Sequence, residues 1–161
     1  MNAEAFRHFY EYHFSENRKI WDRCVSQLSP EQFTRHVDYS RGSVQDQILH
    51  LISCETTWFS ELRDVEIPED LKPIDFPDRE SIRAHWDTVE QNIREYLNRL
   101  QDDMLFDKPL SGEDKDLIVW QVLLHVVNHG TDHRAQLLRL LNDLGLKTEY
   151  QDYIFYVYEH L

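Results

Sequence analysis

Apolar residues recur at intervals of three and four along most of the chain, which places them on one face of a helix. In the first segment Phe6, Phe9, Tyr10, Phe14, Ile20, Trp21, Cys24, Val25 and Leu28 form such a stripe. It predicts a helix over residues 3–28, ended by Ser29-Pro30. Residues 35–39 read as a short extended piece before Gly42. A second helix is predicted from Ser43, a suitable N-cap, to Leu62 or Arg63, with Val44, Ile48, Leu51, Ile52, Trp58, Phe59 and Leu62 on its stripe. Pro68, Pro73 and Pro77 mark a loop long enough to cross between distant helix ends. Asp78 then caps a third helix, with Glu80 and Ser81 in its first turn and Ile82, Trp86, Val89, Ile93, Tyr96, Leu97 and Leu100 facing the core. Residues 104–116, with Pro109 and Gly112, read as a loop or small hairpin. A fourth helix runs from about Asp116 to Gly145, which is placed as the glycine after the helix. The aromatic segment 152–158 reads as a short helix packed back on the others. Four amphipathic helices with little strand predict an all-α four-helix bundle, one domain spanning residues 1–161.

Composition agrees with this and narrows the function. The chain is 41% hydrophobic, enough to fill one core, and its 4 Gly and 5 Pro argue against a turn-rich β fold. A net charge of −13 repels nucleic-acid backbones and anionic lipid, so neither is an expected partner; a small molecule is. There is no apolar run of the roughly 18 residues that a transmembrane helix needs. The mixed, charged N-terminus is unlike a signal peptide. Cys24 and Cys54 fall inside helical patterns and read as reduced core residues of a cytoplasmic protein.

The fourth helix carries the candidate chemistry. His125, His129 and His133 stand at a strict four-residue spacing, stacked one turn above another. Two imidazoles a turn apart can grip one divalent ion. His125 and His133 lie about 12 Å apart along the axis at 1.5 Å per residue, so all three cannot share an ion. The apolar face of this helix is set by Leu123, Val126, Val127, Leu137, Leu138, Leu141 and Leu144, and its polar face by Gln121, Asn128, Asp132, Arg139 and Asp143. His133 lies nearest the apolar side, His129 next and His125 nearest the polar side. The pair His129/His133 therefore points inward, and His125 is left to an outer position. Further ligands must come from other helices. His50 sits at the edge of the second helix's stripe, where it can face a neighbour. Glu55 lies near the middle of that stripe, where a carboxylate must be paired or metal-bound. His13 and Asn17 on the first helix, and His85 beside Trp86, fit hydrogen-bonded core roles, while His8, His36 and His160 read as surface or terminal residues.

Taken together, Asn17-Arg18, His50 followed by Trp58, the run His129-Gly-Thr-Asp-His133-Arg134-Ala135-Gln136 and the ending Asp152-Tyr153-Ile154-Phe155-Tyr156 resemble the DinB/YfiT-like superfamily over essentially the whole chain. Ala135 stands where that superfamily often has glycine. The resemblance implies an up-down-down-up four-helix bundle, often a homodimer. It also implies a divalent ion, commonly nickel or zinc, on three histidines, which carry over as His50, His129 and His133. Some members of the superfamily resemble S-transferases or isomerases that use bacillithiol, mycothiol or glutathione. Others are classed as metal-dependent hydrolases.

The leading expectation is an enzyme, a metal-dependent transferase acting with a low-molecular-weight thiol. Arg134 and Asn17 are candidate contacts for an anionic substrate, and Glu55 is a candidate general base or orienting partner for an imidazole. The alternatives are a hydrolase using metal-bound water, a metal-binding bundle without catalysis, and a helical interaction protein without metal. The loops at 29–42, 65–77 and 104–116 carry no signature that names a substrate.

Overall fold

The computed structural model describes residues 1–161 and is all-helical, without strands. Six α-helices follow one another: α1 Ala3–Arg23, α2 Pro30–Thr34, α3 Val44–Leu62, α4 Arg79–Arg99, α5 Val119–Asp143 and α6 Tyr153–Glu159. α1, α3, α4 and α5 are the long ones, at the places where the apolar stripes predict them.

Helix starts follow local capping chemistry. The Asn2 side chain accepts from the Ala5 amide, Ser43 from Asp46 and Asp78 from Ser81. The end of α5 is a Schellman turn. Gly145, with φ of +87°, donates to Asn142, and Leu146 donates to Leu141.

α1 stops at Arg23, five residues before the predicted end, and a 3₁₀ turn over Val25–Gln27 replaces its last turn. Two side chains drive the change by capping freed carbonyls: Ser26 donates to Asp22 and Gln27 to Arg23. Cys24, Val25 and Leu28 stay buried, so the apolar stripe continues where the α-helix does not. Pro30 holds Ser29 in an extended conformation and then opens α2 from its first position, with Ser29 and Gln32 capping each other. Residues 104–116 form two 3₁₀ turns and no hairpin. α5 begins at Val119, three residues later than predicted, where Gln121 accepts from the Ile118 amide.

The order of contacts sets the relative directions of the helices. Between α1 and α5, Tyr10 donates to the Leu123 carbonyl, Arg134 reaches His13 and Asn17, and Cys24 meets the Lys147 carbonyl, so the two run the same way. Between α3 and α5, Gln47 meets His133 while Trp58 meets His125, so these run oppositely. α4 opposes α1, since Arg7 reaches Leu97 and Leu100 while Trp21 packs on Trp86. Glu55 meets Trp86 and Phe59 meets Tyr96, so α3 and α4 run together. The 63–77 segment makes this possible by doubling back along α3, where the Leu71 amide donates to Ser53 at 3.0 Å. α6 packs its tyrosines edge-on against α1, Tyr153 on Phe9 and Tyr12.

One hydrophobic cluster draws from all four long helices. Inside it lies a polar knot with one contributor or more from each. Glu55 of α3 accepts from His13 Nε2 (2.7 Å), Asn17 Nδ2 (3.3 Å) and Trp86 Nε1 (3.0 Å). Arg134 of α5, with 0% of its surface exposed, donates to His13 Nδ1 (2.9 Å), Asn17 Oδ1 (3.0 Å), Thr131 Oγ1 (3.1 Å) and Gln151 Oε1 (3.0 Å). Burial, partly opposed by the Glu55 hydrogen bond, pulls the His13 pKa down. A neutral His13 protonated on Nε2 satisfies both neighbours: it donates to Glu55 and accepts from Arg134. His13 comes this close to α5 only because residue 130 is glycine. A Cβ there would lie 2.8 Å from His13 Nδ1.

Candidate metal centre

Three histidines from two antiparallel helices meet at one end of the α3–α5 seam. His50 Nε2 lies 3.1 Å from His129 Nε2 and 3.2 Å from His133 Nε2, and the three ligand atoms lie within 4.8 Å of one another. Nitrogen binds zinc at about 2.0–2.1 Å. Two such bonds at angles from square to tetrahedral separate their nitrogens by about 2.8–3.4 Å. Both spacings from His50 fall in that range. Hydrogen bonding alone does not explain the cluster, because the one lone pair of His50 Nε2 faces two imidazole nitrogens and, at 2.9 Å, an Arg41 nitrogen. The three histidines are positioned to hold a metal ion.

All three are held neutral, as ligation requires. Burial, with Arg41 and His133 adding to it, lowers His50 to about 4. Burial with His133 and His50 lowers His129 to about 3, and burial lowers His133 while Asp132 opposes it. The unfolded chain therefore binds more protons than the metal-free fold below the ordinary histidine value of 6.5. The metal-free protein is expected to lose stability as pH falls below that value, the loss from His50 extending to about 4 and from His129 to about 3. Thermal unfolding midpoints between pH 7 and 4 check this, and a midpoint that holds level or rises on acidification contradicts it.

His133 is fixed from behind by Gln47, a fully buried residue of α3 that the sequence reading passed over. Gln47 Nε2 lies 2.6 Å from His133 Nδ1 and 3.2 Å from the His133 carbonyl, and Ser40 donates to Gln47 Oε1 at 2.8 Å. With Nε2 given to an ion, Nδ1 carries the ring proton and needs an acceptor. A half-turn of the Gln47 amide supplies its oxygen, and the Ser40 hydroxyl can then accept from its nitrogen. Gln47→Leu is expected to weaken metal binding about 10–100-fold. Gln47→Glu, which keeps an acceptor, should hold affinity near wild type. Competition against a chelator measures both, and equal affinity in the Leu variant would remove Gln47 from the site.

The remaining sequence candidates fall into place around this centre. His125 is exposed and outside the cluster, edge-on to Trp58 at 5.2 Å. Glu55, Asn17 and Arg134 sit together in the buried knot, with Glu55 paired to His13, not to any of the three clustered histidines. The anionic-substrate role read for Asn17 and Arg134 therefore meets a closed environment: the side-chain donors of Arg134 are committed to protein acceptors. His85 is half-buried and packs on Phe76. Cys24 and Cys54 are free, and burial, with Glu55 adding, pushes the Cys54 thiol up to about 12, far from a thiolate nucleophile. Arg41, unnoticed in the sequence, is the cationic side chain at the cluster.

The sequence model of the DinB family matches residues 1–160. The chain belongs to the DinB family. It is similar to Protein DinB of Bacillus subtilis (strain 168), 25% identical over 169 residues, which covers 98% of this chain and 96% of that protein. As a DinB-family protein it carries a three-histidine cluster suited to a metal ion. No helix is long and apolar enough to cross a membrane.

Proposed function

We propose that this DinB-family protein is a metal-dependent transferase acting with a low-molecular-weight thiol, and that nickel or zinc is its ion. The observation that carries the reading is the convergence of three neutral imidazoles, His50, His129 and His133, at ligand spacing, with no carboxylate or cysteine closing the set. A three-nitrogen site leaves room for a further ligand, as in catalytic rather than structural zinc sites. When bound, the ion would supply Lewis acidity, bringing a thiol or water toward deprotonation at neutral pH. The chain's own part is to hold His133 from behind through Gln47. His125, packed on Trp58, lies beside His129 at one side of the cluster. The high pKa of Cys54 leaves the nucleophile to come from a cosubstrate.

The helix directions support an up-down-down-up four-helix bundle over residues 1–161, which we propose as the single domain. A homodimer and a cytoplasmic location complete the proposal. They rest on family resemblance and on the two unpaired cysteines. The test is turnover of electrophilic model substrates by protein of defined nickel or zinc content, with and without added bacillithiol, mycothiol or glutathione. Turnover that requires thiol supports the transferase. Hydrolysis without thiol assigns the same centre to a hydrolase, and tight metal binding with no turnover leaves a non-catalytic metal protein.

A further inference from the structure

The 36–42 loop between α2 and α3 is built to present one side chain. Ser40 and Gly42 both take positive φ, +53° and +102°. Val37 donates to the Gly42 carbonyl and Gly42 to the Tyr39 carbonyl, closing the loop on itself. A Cβ on residue 42 would lie 2.6 Å from the His36 ring, so glycine is needed there twice over. Ser40 pins the loop to the site by hydrogen bonds to Gln47 and Gln136. Non-glycine residues held at positive φ concentrate where geometry serves a function.

Between these two residues stands Arg41. It is exposed, makes no ion pair in a chain with 30 acidic residues, and has one hydrogen-bond partner, His50 Nε2. That partner is one of the three metal-ligand nitrogens. Once His50 Nε2 is committed to an ion, the guanidinium loses its only contact. It is then held by its loop beside a centre of like charge. Such an arrangement is stable only with a negative group between the cations, or with the side chain driven out to solvent.

We propose that Arg41 is the specificity-determining residue of this site and receives a carboxylate of the substrate or thiol cosubstrate. This rests on the metal-centre reading above. A guanidinium fork matches a planar carboxylate with two parallel hydrogen bonds. The surroundings favour one negative charge over two. Asp132, the residue before His133, is exposed and adds negative charge of its own beside the site, so a phosphate dianion would be repelled more than a single carboxylate, with one arginine to meet it. Arg134 is spent inside the buried knot, and Arg139, which lies over Tyr39 of the same loop, is paired with Asp143.

The experiment is an NMR chemical-shift titration of zinc-loaded protein with acetate, with its neutral isostere acetamide and with inorganic phosphate. Wild type, Arg41→Met and Arg41→Lys are compared after zinc content is measured in each. Wild type is expected to bind acetate at least about tenfold more tightly than acetamide, as a charge-assisted hydrogen bond allows. Arg41→Met should lose that preference, Arg41→Lys should keep part of it, and all three should hold zinc. Zinc retained with no Arg41-dependent acetate binding overturns this inference and leaves the metal centre standing. Arg41-dependent binding of phosphate alone overturns the choice of carboxylate. Loss of zinc from Arg41→Met would make the residue part of the metal scaffold. Wild type that takes up no zinc overturns the metal centre and the inference with it.

Discussion

Arg134→Met is expected to destabilise the fold by about 3–5 kcal/mol, the cost of leaving a buried charge without its counterpart. Methionine matches the length of the arginine stem but cannot donate. The Glu55 carboxylate, with 3% of its surface exposed, loses the buried positive charge that faces it across His13, and four side chains lose a donor. His13 Nδ1, Asn17 Oδ1 and Thr131 Oγ1 lose the donor that Arg134 supplies, and Gln151 keeps only its bond to the Thr131 carbonyl as a tie to α5. Arg134 keeps its charge although burial lowers its pKa, because a guanidinium does not deprotonate in proteins. The measurement is urea unfolding of metal-free protein, so that ligation plays no part. Adding Glu55→Gln to the same chain removes the orphaned charge while keeping an oxygen for His13. The double variant should be less destabilised than the two single losses together. Strict additivity would mean that Glu55 and Arg134 do not speak through His13.

The second large effect concerns the cluster. His129→Ala or His133→Ala should weaken binding of nickel or zinc by more than the roughly 100-fold seen when an outer partner of a ligand is removed. The metal-free fold should be affected little by His129→Ala, because His129 is only half-buried. His125→Ala is the internal control. It shares helix, spacing and chemistry with the other two, yet stands outside the cluster and should keep full affinity. Elemental analysis of protein purified without a histidine tag, followed by chelator competition, reads all three. Undiminished metal in His129→Ala would dismiss the assignment.

How much of this was legible in the sequence differs by element. The long helices were, because each buries a stripe of the right period and opens on a capping residue. The last turn of α1 was misread for an instructive reason. Periodicity reports which residues are buried, and Cys24, Val25 and Leu28 are buried whether the backbone is α or 3₁₀. Helix phase ranked His133, His129 and His125 in the order of burial that the structure shows. It left the third ligand open, and His50 came from family resemblance. Glu55 announced itself as a carboxylate inside an apolar stripe, and the partner it required is His13. Gln47 sent the same signal, lying between Val44 and Leu51 on that stripe, and went unused. Arg41 sent none, since a loop residue has no period and its meaning depends on where Ser40 and Gly42 turn the chain. Arg134 was given to a substrate because sequence shows charge but not enclosure, whereas Asn17, read both as a substrate contact and as a hydrogen-bonded core residue, takes the second place.

Six consecutive residues of α5, fewer than two turns, serve the site and the interior at once. From His129 to Arg134, two residues face the cluster, Gly130 makes room for His13, and Thr131 bonds both the Val127 carbonyl and Arg134. Arg134 then ties the core together, leaving Asp132 as the exposed member of the six. The site and the fold are therefore written in overlapping letters. A change of metal preference cannot be drawn from this stretch without redrawing the interior. Variation in chemistry is left to α3 and to the loop before it, where the same centre can be re-dressed at little structural risk.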